Sequence, residues 1–140
     1  MVNYPIGIQD FEKIRKGGYV YVDKTDLVYK LTRGSVCFLG RPRRFGKSLL
    51  VSTLKYYFEG RRDLFEGLKI MEFEKEWQKH PVFLFDFNLG DKKKAGGLEE
   101  YLLSVIGKGE QEYGIPPQMK ADGSGPLLDA PMRLANLLEQ

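Results

Sequence analysis

Four apolar residues in a row, Val36-Cys37-Phe38-Leu39, run into a glycine- and arginine-rich turn, Gly40–Gly46, and then into a segment of helical periodicity, Lys47–Phe58. A short unbroken apolar run reads as a strand buried on both faces, as in a parallel sheet. In Lys47–Phe58, residues Leu50, Val51, Leu54, Tyr57 and Phe58 share one helical face, and Gly60 closes the helix. A second apolar run, Val82–Phe87, follows Pro81. Between the two lies Arg61–Gln78, which reads as two short helices carrying one apolar group, Leu64, Phe65 and Leu68; Phe73 and Trp77, four apart, are expected to pack together. Strand, helix, helical insert, strand is the order of an α/β fold, in which crossovers between parallel strands are helical. The expectation is therefore a three-layer α/β/α arrangement around a parallel sheet.

The flanks are simpler. Phe11 and Ile14 start a short helix that Gly17-Gly18 stops. Tyr19–Val22 alternates aromatic and β-branched residues and reads as extended. Asp23 has the character of an N-cap, with Asp26 favouring the same helix N-terminus, and Leu27, Val28 and Leu31 follow before Gly34. Beyond the loop residues Lys92–Lys94 and Gly96-Gly97, a helix is expected from Leu98 to Ile106, extending to Tyr113, with Leu98, Tyr101, Leu102 and Val105 inward. Ile115–Pro131 is rich in proline and reads as loop; Arg133–Gln140 reads as a last helix.

Composition narrows the class. With 42% hydrophobic and 13% aromatic residues, the chain can build a core. Its 22 basic residues face 19 acidic ones, so the net charge of +3 is no nucleic-acid signature by itself. The single cysteine, Cys37, excludes an internal disulfide or a cysteine-based zinc site and is expected as a small core residue. There is no signal-peptide pattern and no apolar stretch near the roughly 20 residues that cross a bilayer. A cytoplasmic location with no membrane partner is expected.

The turn carries the chemistry. A phosphate-binding loop reads Gly, four residues, Gly, Lys, then Ser or Thr. Gly46-Lys47-Ser48 supplies the second half, while the first glycine position falls on Arg41. The variant loop is thus Arg41-Pro42-Arg43-Arg44-Phe45-Gly46-Lys47-Ser48. Backbone N–H groups of the loop and first helical turn would face phosphate oxygens. Gly46 would admit close backbone approach, Lys47 would reach the terminal phosphates, and the Ser48 hydroxyl would join a Mg²⁺ shell. Arg41, Arg43 and Arg44 add positive charge beside a polyanion. The expected ligands are ATP and Mg²⁺. The alternative is a basic surface turn ahead of a helix.

Several segments resemble one family. Tyr21-Val22-Asp23-Lys24-Thr25, the loop Arg41–Ser48, Tyr57-Phe58-Glu59-Gly60, Leu64-Phe65-Glu66-Gly67, and Pro81-Val82 through Asp86-Phe87 are similar to the bacterial AAA-ATPase-like proteins, relatives of the STAND-type ATPases. The resemblance implies a P-loop NTPase fold, with residues 1–33 as a helical lead-in and 34–140 as an incomplete core. It also implies that longer members carry a second domain similar to PD-(D/E)XK nucleases. The family's hydrolytic Walker B strand would fall after a helix like Arg133–Gln140, so the fold is expected to be truncated before it and catalytic residues stay unassigned.

Other residues have competing readings. Asp86, at the end of an apolar run, could hold Mg²⁺, but no glutamate follows it to activate water, and a local strand-end role is the alternative. The resemblance places Asp23, Lys24 and Thr25 where a nucleotide base could sit, and Tyr21 and Ile8 could touch adenine; a capped surface helix is the other reading. His80 reads as a turn residue and Trp77 as packing. Lys92–Lys94 reads as a solvated loop, with nucleic-acid contact as the minor reading. Asp91-x-Lys93 lacks a second carboxylate arm, which argues against a nuclease site. The alternatives to ATP binding are a nucleic-acid or partner-protein module that keeps the loop as a basic patch, or a non-functional remnant. A sheet without its later strands would expose an edge and an apolar face, which favours oligomers or aggregation.

Overall fold

A computed structural model of the chain describes residues 2–87, 97–117, 119–120, 122–126 and 129–138. Asp91, Lys92–Lys94 and Gly96, which figure in the sequence expectations, lie outside the described residues. The chain forms two compact units, Met1–His80 and Pro81–Gln140. Six helices follow in order among the described residues: α1 Phe11–Lys16, α2 Thr25–Leu31, α3 Lys47–Phe58, α4 Ile70–Phe73, α5 Gly97–Tyr113 and α6 Ala130–Leu138, with a 3₁₀ turn at Arg62–Phe65.

The expected three-layer α/β/α fold with a parallel sheet is not what these residues form. Among the described residues the sole β pairing is an isolated antiparallel bridge between Met119 and Pro126. Val36–Leu39 carries no strand; Val36 and Phe38 are 91% and 94% exposed, and Cys37 is exposed rather than a core residue. Val82–Phe87 carries no strand either. Its amides turn to side chains instead: Val82 N–H donates to the Tyr113 hydroxyl (3.0 Å) and Asp86 N–H to the Tyr101 hydroxyl (2.8 Å). Two short apolar runs do not make a parallel sheet, because such a sheet needs several neighbours and cover on both faces. An apolar run states an appetite for burial and cannot supply the ladder partners that satisfy its backbone.

In the first unit the expected helices form close to their predicted places. Asp10 caps α1, its carboxylate accepting from Lys13 N–H at 2.9 Å, and Gly17 ends the helix. Phe11 and Ile14 are its buried residues. The core gathers Phe11, Val28, Tyr56, Leu64, Phe65, Leu68 and Ile70. Phe11 packs on Phe65 with ring centres 4.8 Å apart, and Trp77 lies over Phe65 at 5.0 Å. Phe73 and Trp77 therefore part company: α4 ends at Phe73, which stacks on Tyr29 instead. The buried face of α3 is also rotated from the expected one. Thr53 and Tyr56 are buried while Val51 is exposed. Polar atoms do not keep them out, because the Thr53 hydroxyl donates to Leu49 O (2.8 Å) and the Tyr56 hydroxyl lies within 3.2 Å of Asp10.

The Asp23–Thr25 segment serves as a clamp. The helix begins at Thr25, two residues past Asp23. One Asp23 oxygen accepts from Thr25 N–H (2.9 Å) and from its hydroxyl (2.7 Å); the other accepts from Lys69 N–H (2.8 Å). The fully buried Thr25 hydroxyl in turn accepts from Ile70 N–H at 3.0 Å. Two short helices, α2 and α4, are thus tied by orphan amides of the second meeting the side chains that precede and open the first. Partial burial alone would raise the Asp23 carboxyl, but the hydrogen bonds from Lys69 and Thr25 outweigh it and hold it below the usual range.

In the second unit, Ile106 and Ala130 form a small core with Phe83, Phe85, Leu102, Leu103, Ile115 and Leu134 against them. The inward face of α5 runs through Ile106, Gly109 and Glu110, whereas Leu98 is exposed. Gly109 is required by contact: a Cβ there would lie 2.0 Å from the Phe83 ring. Glu110 and Arg133, both buried, form a two-pronged ion pair, with Nε to Oε1 at 3.1 Å and Nη2 on Oε2.

Two predictions follow from the first unit, both read by fluorescence of Trp77, the chain's single tryptophan. Thr25→Val strands the buried Ile70 amide and is expected to destabilise this unit by about 1–3 kcal/mol in denaturant titrations. Hydrogen bonds from Lys16 and Arg61 draw the Glu12 carboxyl from 4.5 down to about 2. A folded-state pKa that is depressed adds stability above the unfolded pKa and loses it as pH falls through the folded one. The wild type should therefore lose more stability than Glu12→Gln as pH falls from 4.5 to about 2; equal losses would assign the acid sensitivity to other groups.

Candidate functional site

The arginine-rich turn leads into α3, at twelve residues the longest helix of the first unit. Gly46 occupies the N-cap position with φ 73° and ψ 19°, in the left-handed region. A Cβ at Gly46 would meet nothing within 4 Å, so its glycine is called for by backbone conformation and not by crowding. Arg44 is left-handed as well, with φ 65°. Two left-handed residues in three roll the chain tightly ahead of the helix. No side chain caps α3, so the amides of its first turn, among the described residues, face outward without an intrahelical partner.

Two hydrogen bonds brace the roll. Lys47 Nζ reaches back over the loop to donate to Arg41 O at 2.8 Å, and Arg41 Nη1 donates to Phe45 O at 3.4 Å. Residues 41–48 are all exposed, and Phe45 keeps 63% of its surface. Among the described residues, Arg41, Arg43, Arg44 and Lys47 enter no ion pair with a carboxylate. Four cationic side chains thus stand around one helix N-terminus, which itself carries partial positive charge. The arrangement suits an anion with several oxygens.

Clefts open on two sides of the loop. The larger, about 640 Å³, is shared by the arm Ile6–Gln9 with Arg44, Gly46, Lys47 and Ser48. The smaller, about 250 Å³, runs between α2 and α3 and is lined by Tyr21, Lys24, Leu27 and Phe45 among others. Ile8 and Tyr21, paired as possible adenine contacts, therefore line different clefts. Lys24 reaches the smaller cleft, whereas Asp23 and Thr25 are spent on the α2–α4 clamp. Burial first, and then the nearby Asp23 charge, push the Tyr21 phenol up. A third cleft, about 440 Å³, lies at the far end of α3 beside Tyr57, Glu74 and Trp77.

Two further sequence candidates make backbone hydrogen bonds. Asp86 belongs to the second unit, with its amide on the Tyr101 hydroxyl. His80 donates its amide to Phe58 O at 2.7 Å and sets its ring edge-on to Phe58. Among the described residues no group of three or more His, Cys, Asp or Glu is arranged to hold a metal ion, and no helix is long and apolar enough to cross a membrane. One residue beside the loop had no sequence signal at all. Ser52, one turn beyond Ser48 on α3, accepts a hydrogen bond from Phe11 N–H at 3.0 Å and so joins the helix to α1. A serine in mid-helix has no distinctive spacing, and only the fold gives it a partner.

The chain is similar to known proteins along most of its length. A relative from Azotobacter chroococcum mcd 1, described as an uncharacterized protein in the vnfD 5' region, is 44% identical over 114 residues, which is 79% of this chain and 22% of that protein. The chain thus spans about a fifth of the length of this curated relative. No solved structure matches it. The model of the AAA-ATPase-like family, described as predicted AAA-ATPase, matches residues 5–140. With its arginine-rich loop at the head of α3 inside that matched span, the chain belongs to the predicted AAA-ATPase family.

Proposed function

We propose that this chain binds the triphosphate of ATP, together with Mg²⁺, at the variant Walker A loop Arg41–Ser48. The observation that carries the proposal is the conformation of Gly46, left-handed and uncapped at the start of α3, with Lys47 arched over the loop. First-turn amides without an intrahelical partner, with an ammonium group close in sequence, are what recognition of phosphate oxygens needs. Membership of a family described as predicted AAA-ATPase supports the same ligand.

Roles follow from position. The amides after Gly46 would hold the β- and γ-phosphate oxygens. Lys47 would exchange its bond to Arg41 O for bonds to the terminal phosphates. Arg41, Arg43 and Arg44 would neutralise the remaining charge, and Pro42 and Phe45 would keep the roll in shape. The exposed Ser48 hydroxyl fits Mg²⁺, which accepts one or two protein oxygens and completes its shell with phosphate oxygens and water. Bound there, the ion would screen the phosphate charge. The proposal is for binding. Hydrolysis calls in addition for a base that activates water, and no glutamate follows Asp86 in the sequence to supply one.

The exposed arginines support a second reading, a basic patch that takes any polyphosphate, including nucleic acid. Calorimetry separates the two. ATP is expected to bind more tightly with Mg²⁺, and Lys47→Ala to weaken it by roughly 10–100-fold, the worth of a charge-assisted hydrogen bond. Excess duplex DNA should leave ATP binding unchanged. Equal binding by wild type and Lys47→Ala, or displacement of ATP by DNA with a steep salt dependence, would overturn the nucleotide proposal.

A further inference from the structure

We infer that Ser52 is a positioning residue for the nucleotide: it fixes the arm Ile6–Gln9 as the wall of the larger cleft that receives the nucleoside half of ATP. The inference rests on the phosphate-loop proposal and adds which part of the chain reads the rest of the ligand.

The two sides of the 640 Å³ cleft differ in chemistry. The loop side is cationic, with Arg44 and Lys47. The arm side, Ile6-Gly7-Ile8-Gln9, has no charge; it offers aliphatic surface, a carboxamide and backbone groups. Phosphates belong with the first, and a flat heterocycle with hydrogen-bonding edges belongs with the second.

The arm is held in shape by few bonds. Ile8 N–H donates to Pro5 O at 3.2 Å across a turn in which Gly7 is left-handed, φ 76°. Val20 N–H donates to Asn3 O at 2.9 Å. Its tie to the loop helix is Ser52. The Ser52 hydroxyl accepts from Phe11 N–H (3.0 Å), and its own proton lies between Leu49 O (2.9 Å) and Gln9 O (3.3 Å). Tyr56, one turn further along α3, adds a contact to Asp10 at 3.2 Å. Ser52 thus meets Gln9 and Phe11 on either side of the α1 cap, at the point where the arm leaves the core. Since it stands on α3, it sets the arm's distance from the Lys47 end of the same helix.

The experiment compares ATP with inorganic tripolyphosphate, which keeps the phosphates and lacks the nucleoside. In calorimetry with Mg²⁺, Ser52→Ala is expected to lower ATP affinity about 5- to 20-fold and tripolyphosphate affinity less than about twofold. Ser52→Thr, which keeps the hydroxyl, should restore ATP affinity. Ile6→Ala alters a side chain that is 90% exposed, so the unit still folds if Ser52→Ala does not; it too should weaken ATP and spare tripolyphosphate. Equal losses for both ligands, or no loss for either variant, would overturn the inference while leaving the loop intact. A wild-type chain that binds neither ligand would overturn the loop proposal and this inference with it.

Discussion

Phe11 is fully buried, and three parts of the first unit meet on it. Its ring packs edge-on to Tyr21 at 5.3 Å and tilts against Phe65 at 4.8 Å. Its amide, the first of α1 and without an intrahelical partner, ends on Ser52 of α3. A single residue therefore joins the N-terminal arm, the segment before α2, the 3₁₀ turn and the loop helix. Aromatic pairs of this kind add about 0.5–1.5 kcal/mol each beyond their buried area, so the hub is worth more than the short helices could gain from their own backbones. Helices of six, seven and four residues, α1, α2 and α4, do not persist alone; they exist because side chains such as Asp10, Asp23 and Thr25 satisfy their ends and Phe11 and Phe65 hold their faces.

The arginine-rich loop draws on the opposite kind of design. It is exposed, rich in like charge and rolled through two left-handed residues, one of them an arginine. A non-glycine residue in that region costs on the order of 1 kcal/mol, and crowding four cations costs more. Nothing in the core repays this locally. Strain and unbalanced charge concentrated at one turn, beside a well-packed hub, are consistent with the polyanion proposed as its ligand. The Lys47 bond to Arg41 O gives an acceptor to the ammonium that the proposal assigns to the terminal phosphates.

Much of this was legible in the sequence, and what was not has physical causes. The bounds of α3, the stop at Gly17 and the apolar group Leu64, Phe65 and Leu68 follow from local periodicity and glycine placement. The turn that ends in Gly46 and opens α3 was readable from the glycine and the periodicity that follows it. The sheet was misjudged, because Val36–Leu39 and Val82–Phe87 have strand composition, and pairing is a property of neighbours that composition does not record. The buried face of α3 was misjudged because Thr53 and Tyr56 look polar until their hydroxyl partners are known. Asp23 and Thr25 looked like parts of a cap or a ligand pocket; their link to Lys69 and Ile70 spans more than forty residues and has no local trace. Ser52 is hidden for the same reason.

The tyrosine hydroxyls of α5 bear on the edge of a neighbouring apolar segment. Val82 and Asp86 are an even number of residues apart, so in an extended segment their amides leave along the same edge. Tyr113 and Tyr101 occupy those two amides. A run such as Val82-Phe83-Leu84-Phe85 is the kind of sequence that recruits identical copies into stacked fibrils when both edges are open. An incoming strand would have to displace both phenol groups before it could pair with these two amides.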